Sequence, residues 1–214
     1  MNYFTLMLNF MIQCVDRLFN KGGSMQKPIQ VNLIDTMPNK FPTNPDQDAM
    51  MTKIGENSGV AIFQNKRLML EAMGPKMQVT DGVFMSKVKN PRFTQDVIVM
   101  NADAHGPYWY SVLFHEMAHA TGTMDRLYRP GICSKHVDAI TYAYEEVIAE
   151  SVARRIMERV GLATPETRES SMKYINRYAS AIENFIDQKL LNLEVSTAEA
   201  LVMEWLQGTE IKAA

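Results

Sequence analysis

Apolar positions change their spacing part-way along this chain, and the change separates two kinds of element. Residues 25–58 are rich in Pro, Asn, Asp and Gly and are expected to form a loop or extended lead-in. From Gly59 come short apolar runs punctuated by Gly, Pro and Asn: Val60-Ala-Ile-Phe, Arg67-Leu-Met-Leu, Gln78-Val-Thr and Asp96-Val-Ile-Val-Met. Each predicts a short strand. Residues 108–121 contain no Pro or Gly and carry an apolar run that suits a buried helix, with Gly106-Pro107 as its start and Gly122 as its stop. On that helix Val112, His115 and His119 share one stripe, while Leu113, Met117 and Ala120 share another. The neighbouring Tyr108, Trp109 and Tyr110 read as core packing. A loop at 122–137 leads into a helical stretch from about 139 to 160 that stops at Gly161. Two more helices are expected near 168–190 and 196–207, with Pro165 breaking the chain before them. Strands first and helices after predict an α+β fold: a small N-terminal sheet, a central helix and a helical C-terminal half. Residues 59–214 would form this domain, and residues 1–58 a leader or extended segment.

With 214 residues the chain is long enough for one good core, or a domain with an appendage. A net charge of −2 gives no bulk attraction for nucleic acid. The 17 methionines scatter through apolar positions and read as core filler. Cys14 and Cys133 make no disulfide framework and suit a reducing cytoplasm. Residues 3–19 are apolar, but no Lys or Arg precedes them, the run is too short for a bilayer, and no small-residue cleavage pattern follows. Neither signal peptide nor membrane anchor is expected. Codons for Lys21-Gly22-Gly23 can spell a purine-rich ribosome-binding sequence just ahead of Met25. Met25 is therefore expected to be the natural start in a bacterial or phage gene, with residues 1–24 a translated leader. The rival is an amphipathic helix that docks on the domain or a partner.

Residues 115–119 read His-Glu-Met-Ala-His. Histidines four apart on a helix face the same way, so His115 and His119 can share one metal ion. Glu116 lies where its carboxylate can reach a water on that metal and act as the general base. This is the zincin arrangement of a metal-dependent hydrolase, usually a peptidase. Zn2+, one per chain, is the expected cofactor, with manganese as the other candidate, and a protein or peptide the expected substrate. Tyr142, Tyr144 and His136 are candidates to steady the oxyanion beside the metal. His105 and His136 otherwise read as loop residues.

A catalytic site needs a third protein ligand and one open position. Glu146 and Glu150 lie on a mostly apolar face of the 139–160 helix, where carboxylates are costly to bury unless positive charge meets them. Glu146 would bind the metal, and Glu150 would accept a proton from the far nitrogen of a ligand histidine and fix its orientation. Glu145 also falls inside the apolar arc, so periodicity leaves it open as an alternative; the Glu-x-x-Ala-Glu spacing favours Glu146. These acids could instead pair with Arg154 or Arg155 on a solvated face. Asp125, after the Gly122 turn, is a second candidate third ligand, with a loop cap or an ion pair to Arg126 or Arg129 as its plainer role.

The stretch from Asp96 to Tyr178 resembles the C-terminal zincin-like metallopeptidase domain of ArdC-type anti-restriction proteins of plasmids and phages. The residues that carry the likeness are Asp96-Val-Ile-Val and Tyr110-Ser-Val-Leu-Phe-His-Glu-Met-Ala-His-Ala-Thr-Gly, then Arg126-Leu-x-Arg129. They continue with Tyr142-Ala-x-Glu-Glu-Val-Ile-Ala-Glu150 and Ser171-x-x-Tyr174-Ile175. The resemblance implies metal ligands at His115, His119 and Glu146, a catalytic glutamate at Glu116, and a possible role against host defence. Such proteins also carry an N-terminal domain that binds single-stranded DNA. Residues 1–58 are too short and too poor in basic residues to match it, so DNA binding is expected to be weak if it occurs at all. Two alternatives to a general peptidase follow. One is a metal-braced, non-catalytic factor that binds DNA or protein. The other is a regulated protease specific for one repressor or DNA-bound protein. Oligomeric state is not legible.

Overall fold

The computed structural model describes residues 45–64, 81–89, 94–209 and 211. The strands expected at 67–70 and 78–80, the leader reading of residues 1–24 and Cys14 lie outside the described residues.

The first described element corrects the loop expected through residue 58. Pro45–Ser58 is a helix, α1, with Pro45 at its start and Asp46 and Asp48 in its first turn, where acids favour the helix dipole. Met50, Met51 and Ile54 anchor it in the core. Three strands follow: β1 (Ala61–Gln64), β2 (Gly82–Met85) and β3 (Val97–Met100). The central β3 pairs parallel with β1 and antiparallel with β2, placing Phe84 opposite Ile98 and Val83 opposite Val99. All four residues of β3 are buried, as a strand covered on both faces requires.

Helix α2 (Gly106–Thr121) runs beside the sheet and packs on α4 (Ala139–Arg159). Leu113, Met117 and Ala120 are fully buried, and so are Trp109 and Phe114. Tyr108 departs from the core reading: it is 48% exposed and donates its hydroxyl to Asp81. Gly122 ends α2 for a packing reason. A methyl group there would come within 2.9 Å of the Arg129 guanidinium, so only glycine lets that buried arginine close on the helix end. The loop expected at 122–137 contains one short turn of helix, α3 (Pro130–Cys133). Asp138 caps α4 by accepting from the Thr141 N–H.

The last two helices are α5 (Pro165–Ile182) and α6 (Gln188–Trp205). They break earlier than the sequence pattern indicates, because Asp187 accepts from the amides of Lys189 and Leu190 and so caps α6. Arg126 ties the elements together. Its guanidinium donates to the buried Asp96 ahead of β3, to the Ala120 carbonyl of α2 and to the Ser58 carbonyl of α1, and it lies 5.2 Å from the Trp205 ring of α6.

Candidate metal centre

The packing of α2 on α4 brings three donors together. His115 and His119 project from one face of α2, and Glu146 faces them from α4; one ligand atom from each lies within 4.8 Å of the others. The two Nε2 atoms are 3.0 Å apart, and the Glu146 carboxylate stands 3.5 Å from that of His115 and 3.7 Å from that of His119.

The outer nitrogens show what these atoms are for. His115 Nδ1 lies 2.8 Å from Glu150, and His119 Nδ1 lies 3.1 Å from Glu145. Carboxylates are acceptors, so each Nδ1 carries a proton, and in the neutral, metal-binding ring each Nε2 is left with a lone pair. Two lone pairs and a carboxylate then converge on one point, an arrangement that is repulsive without a cation between them. Burial opposes charging His115, but the Glu146 and Glu150 carboxylates outweigh it and hold its pKa well above the ordinary value. Burial likewise raises Glu146, yet bonds from His115 and Tyr174 prevail and bring its carboxyl down to about 2. The pocket is built for positive charge, and a His2Glu donor set suits a divalent transition metal.

Glu145 is placed as the partner of His119, not among the converging donors. Arg129, 4% exposed, grips both of its oxygens, Nε at 2.8 Å and Nη2 at 2.7 Å, and also donates to Thr121 Oγ1 and the Ala118 carbonyl. A chain of charge thus runs from Arg129 through Glu145 to His119. Asp125 is left outside the site: it is exposed and pairs with Lys87 at 2.9 Å. Arg154 and Arg155 do not pair with Glu145, Glu146 or Glu150; they contact Met172 of α5 and Glu199 of α6.

Glu116 is buried on the sheet side of the same helix, where the Phe84 N–H of β2 donates to its carboxylate. Burial raises its pKa, with His115 and His119 opposing. Gly82 makes this approach possible, since a methyl group there would meet Val112 Cγ1 at 2.6 Å and Glu116 Cγ at 3.0 Å. A cleft of about 440 Å³ opens between β2 and α4, lined by the histidines, Glu116 and Glu146 together with Tyr142 and Tyr174. The Tyr174 hydroxyl donates to Glu146 at 2.6 Å, and its ring packs edge-on against His115. His105 and His136 are exposed and do not line the cleft, and neither does Tyr144. Tyr174 was visible in the sequence only as a member of the family-like pattern, and Arg129 also as a candidate partner of Asp125, whereas it pairs with Glu145. A buried Glu145 called for a cation, but spacing could not say which one.

Residues 92–191 match the MPTase-PolyVal model, a family of zincin-like metallopeptidases. The fold of this chain is the zincin-like one. Among solved structures, the chain is similar to the Mn(II)-bound crystal structure of the antirestriction protein ArdC from plasmid R388. The two share 21% identity at a TM-score of 0.51, over 88% of this chain and 68% of ArdC. No curated protein matched the chain. The α+β architecture, with a small sheet ahead of the metal helix and a helical C-terminal half, is thus the zincin-like one.

Proposed function

We propose that this protein is a metal-dependent peptidase of phage or mobile-element type, acting in the cytoplasm and directed against host defence. The observation that carries the reading is the convergence of the two Nε2 atoms and Glu146 beside a buried Glu116 that accepts from the Phe84 N–H. His115, His119 and Glu146 would hold one divalent ion, zinc by donor chemistry, with manganese the second candidate because the ArdC structure holds Mn(II). When bound, such an ion polarises a scissile carbonyl and lowers the pKa of water in its open position to about 7.

The chain's own residues would do the rest. Glu116 takes a proton from water onto its carboxylate and passes it to the leaving amine nitrogen; the burial that raises its pKa favours holding that proton in between. Among the described residues β2 is an edge strand, so an extended peptide can add to it across the cleft. Tyr142 and Tyr174 line the same cleft, and burial together with Glu146 keeps both phenols protonated; either would have to turn its single O–H from Glu146 to donate to an oxyanion. No helix among the described residues is long and apolar enough to cross a membrane. The free, half-buried Cys133 thiol supports a reducing compartment.

Glu116→Gln is expected to keep its metal and lower peptide cleavage about 10²- to 10⁴-fold, the range of a general base. Full anti-restriction activity of that variant in cells would favour the non-catalytic reading instead. Single-stranded DNA should bind weakly. Among the described residues Lys87 is already tied to Asp125, and Arg155 and Arg159 to Glu199. Fluorescence anisotropy at physiological salt is expected to show no affinity tighter than about 10⁻⁶ M, the non-specific range. A tighter value would return DNA to the list of partners.

A further inference from the structure

We infer that Lys89 sets substrate specificity by seating a carboxylate of the bound peptide, an inference that rests on the peptidase reading above. Lys89 follows β2, the strand whose Phe84 N–H meets Glu116, and it lines the same cleft as His115 and Glu146. Other cations around the site have carboxylate partners: Arg129 holds Glu145, Arg126 holds Asp96 and Lys87 holds Asp125. Lys89 makes no such ion pair among the described residues; Glu145, already held by Arg129, attracts it only at longer range. Its one hydrogen bond is to the Gly131 carbonyl at 3.2 Å, which fixes the ammonium at the cleft wall and uses one of its three N–H groups. The residue is exposed, so the other two can reach a ligand.

The rest of the cleft sharpens the preference. Glu116, Glu145 and Glu146 also line it, so a substrate carboxylate is repelled from most of the wall and drawn to one point. That carboxylate can belong to an Asp or Glu side chain or to a free C-terminus; both offer the same two oxygens to an ammonium. A peptide lying over Lys89 would shield the pair from solvent, raising its worth to the upper end of an exposed ion pair, about 5-fold in affinity.

The test uses the zinc-loaded Glu116→Gln protein as a trap for a randomised peptide mixture, offered once with free and once with amidated C-termini. Retained peptides are sequenced by mass spectrometry. With Lys89 present, enrichment of about 5-fold for Asp and Glu at one register in the amidated set assigns the site to an acidic side chain. Enrichment of free over amidated peptides assigns it to the chain terminus. Either preference should vanish in Lys89→Met, persist in Lys89→Arg and shrink as salt rises, while metal content and melting temperature stay unchanged. Retention of peptides with no acidic bias, or with the same bias in Lys89→Met, overturns the inference and leaves the peptidase reading standing. Failure of the fully metallated trap to retain any peptide counts against both.

Discussion

The double variant His115→Ala/His119→Ala is expected to carry no divalent metal, where the unaltered chain carries about one equivalent. Elemental analysis of dialysed protein reads this directly. Melting temperature should fall with the metal, because an ion that binds only the folded state adds its binding free energy to folding. Peptide cleavage should go with it. Three single variants then separate the roles of the acids. Glu146→Ala removes the donor that faces both Nε2 atoms and should lose the ion. Asp125→Ala breaks only the exposed pair with Lys87 and should keep it. Glu150→Ala frees His115 Nδ1 and should weaken metal binding about 10- to 100-fold, as loss of an orienting carboxylate does. Full occupancy in the double variant would end the metal-site assignment. Loss in Asp125→Ala with retention in Glu146→Ala would move the third ligand to the loop after α2.

The largest stability loss is expected one side chain behind the metal ligands, in Arg129→Met. This guanidinium is buried, and so is the Glu145 carboxylate it grips; both oxygens are engaged, and burial, which alone would raise the Glu145 pKa, is outweighed so that it falls to about 2. Removing the cation leaves a buried charge with His119 as its hydrogen-bond partner and Lys89 at longer range. Breaking such a pair costs about 3–5 kcal/mol. For a chain of this size that lowers the melting temperature by about 6–20 °C. The lowered pKa means the pair stabilises the fold above the ordinary 4.5 and loses that contribution as pH falls through about 2, so pH 7 is the place to measure. Arg129→Met combined with Glu145→Gln should regain part of the loss, since no charge is then stranded. A melting temperature within a degree or two of the unaltered protein would show that Glu145 finds another partner.

The parts of the fold that were legible are those whose local chemistry agrees with their environment. Helix α2 announces itself because Gly106-Pro107 starts it, its apolar run is unbroken and Gly122 follows. Helix α4 shows the same agreement, with Asp138 before it and Gly161 after. Helix α1 was illegible because three apolar residues, Met50, Met51 and Ile54, hold it in the core while polar residues and Gly55 fill the rest. Strand β2 was missed because Asp81-Gly82 looks like a turn. Its glycine is there for the approach of Glu116, a demand that comes from another element. The break between α5 and α6 has no Gly or Pro and depends on one capping side chain, Asp187. At the site, two histidines and a carboxylate could be read from helical spacing. The difference between Glu145 and Glu146 could not: neighbours on a helix point about 100° apart, and only the position of Arg129 decides which one turns outward from the shared centre.

The shortness of β2 limits what this cleft can take. Its four residues, at about 3.3 Å of rise each, extend about 13 Å, the length over which a guest strand can be held in register. On the peptidase reading proposed above, a grip of that span would read about four amino acids. It suits an unfolded stretch, a loop tip or a tail, and excludes a helix or a closed sheet, whose backbone groups are already paired among themselves. Choice of victim would then depend as much on which proteins expose a slack segment as on the sequence of that segment.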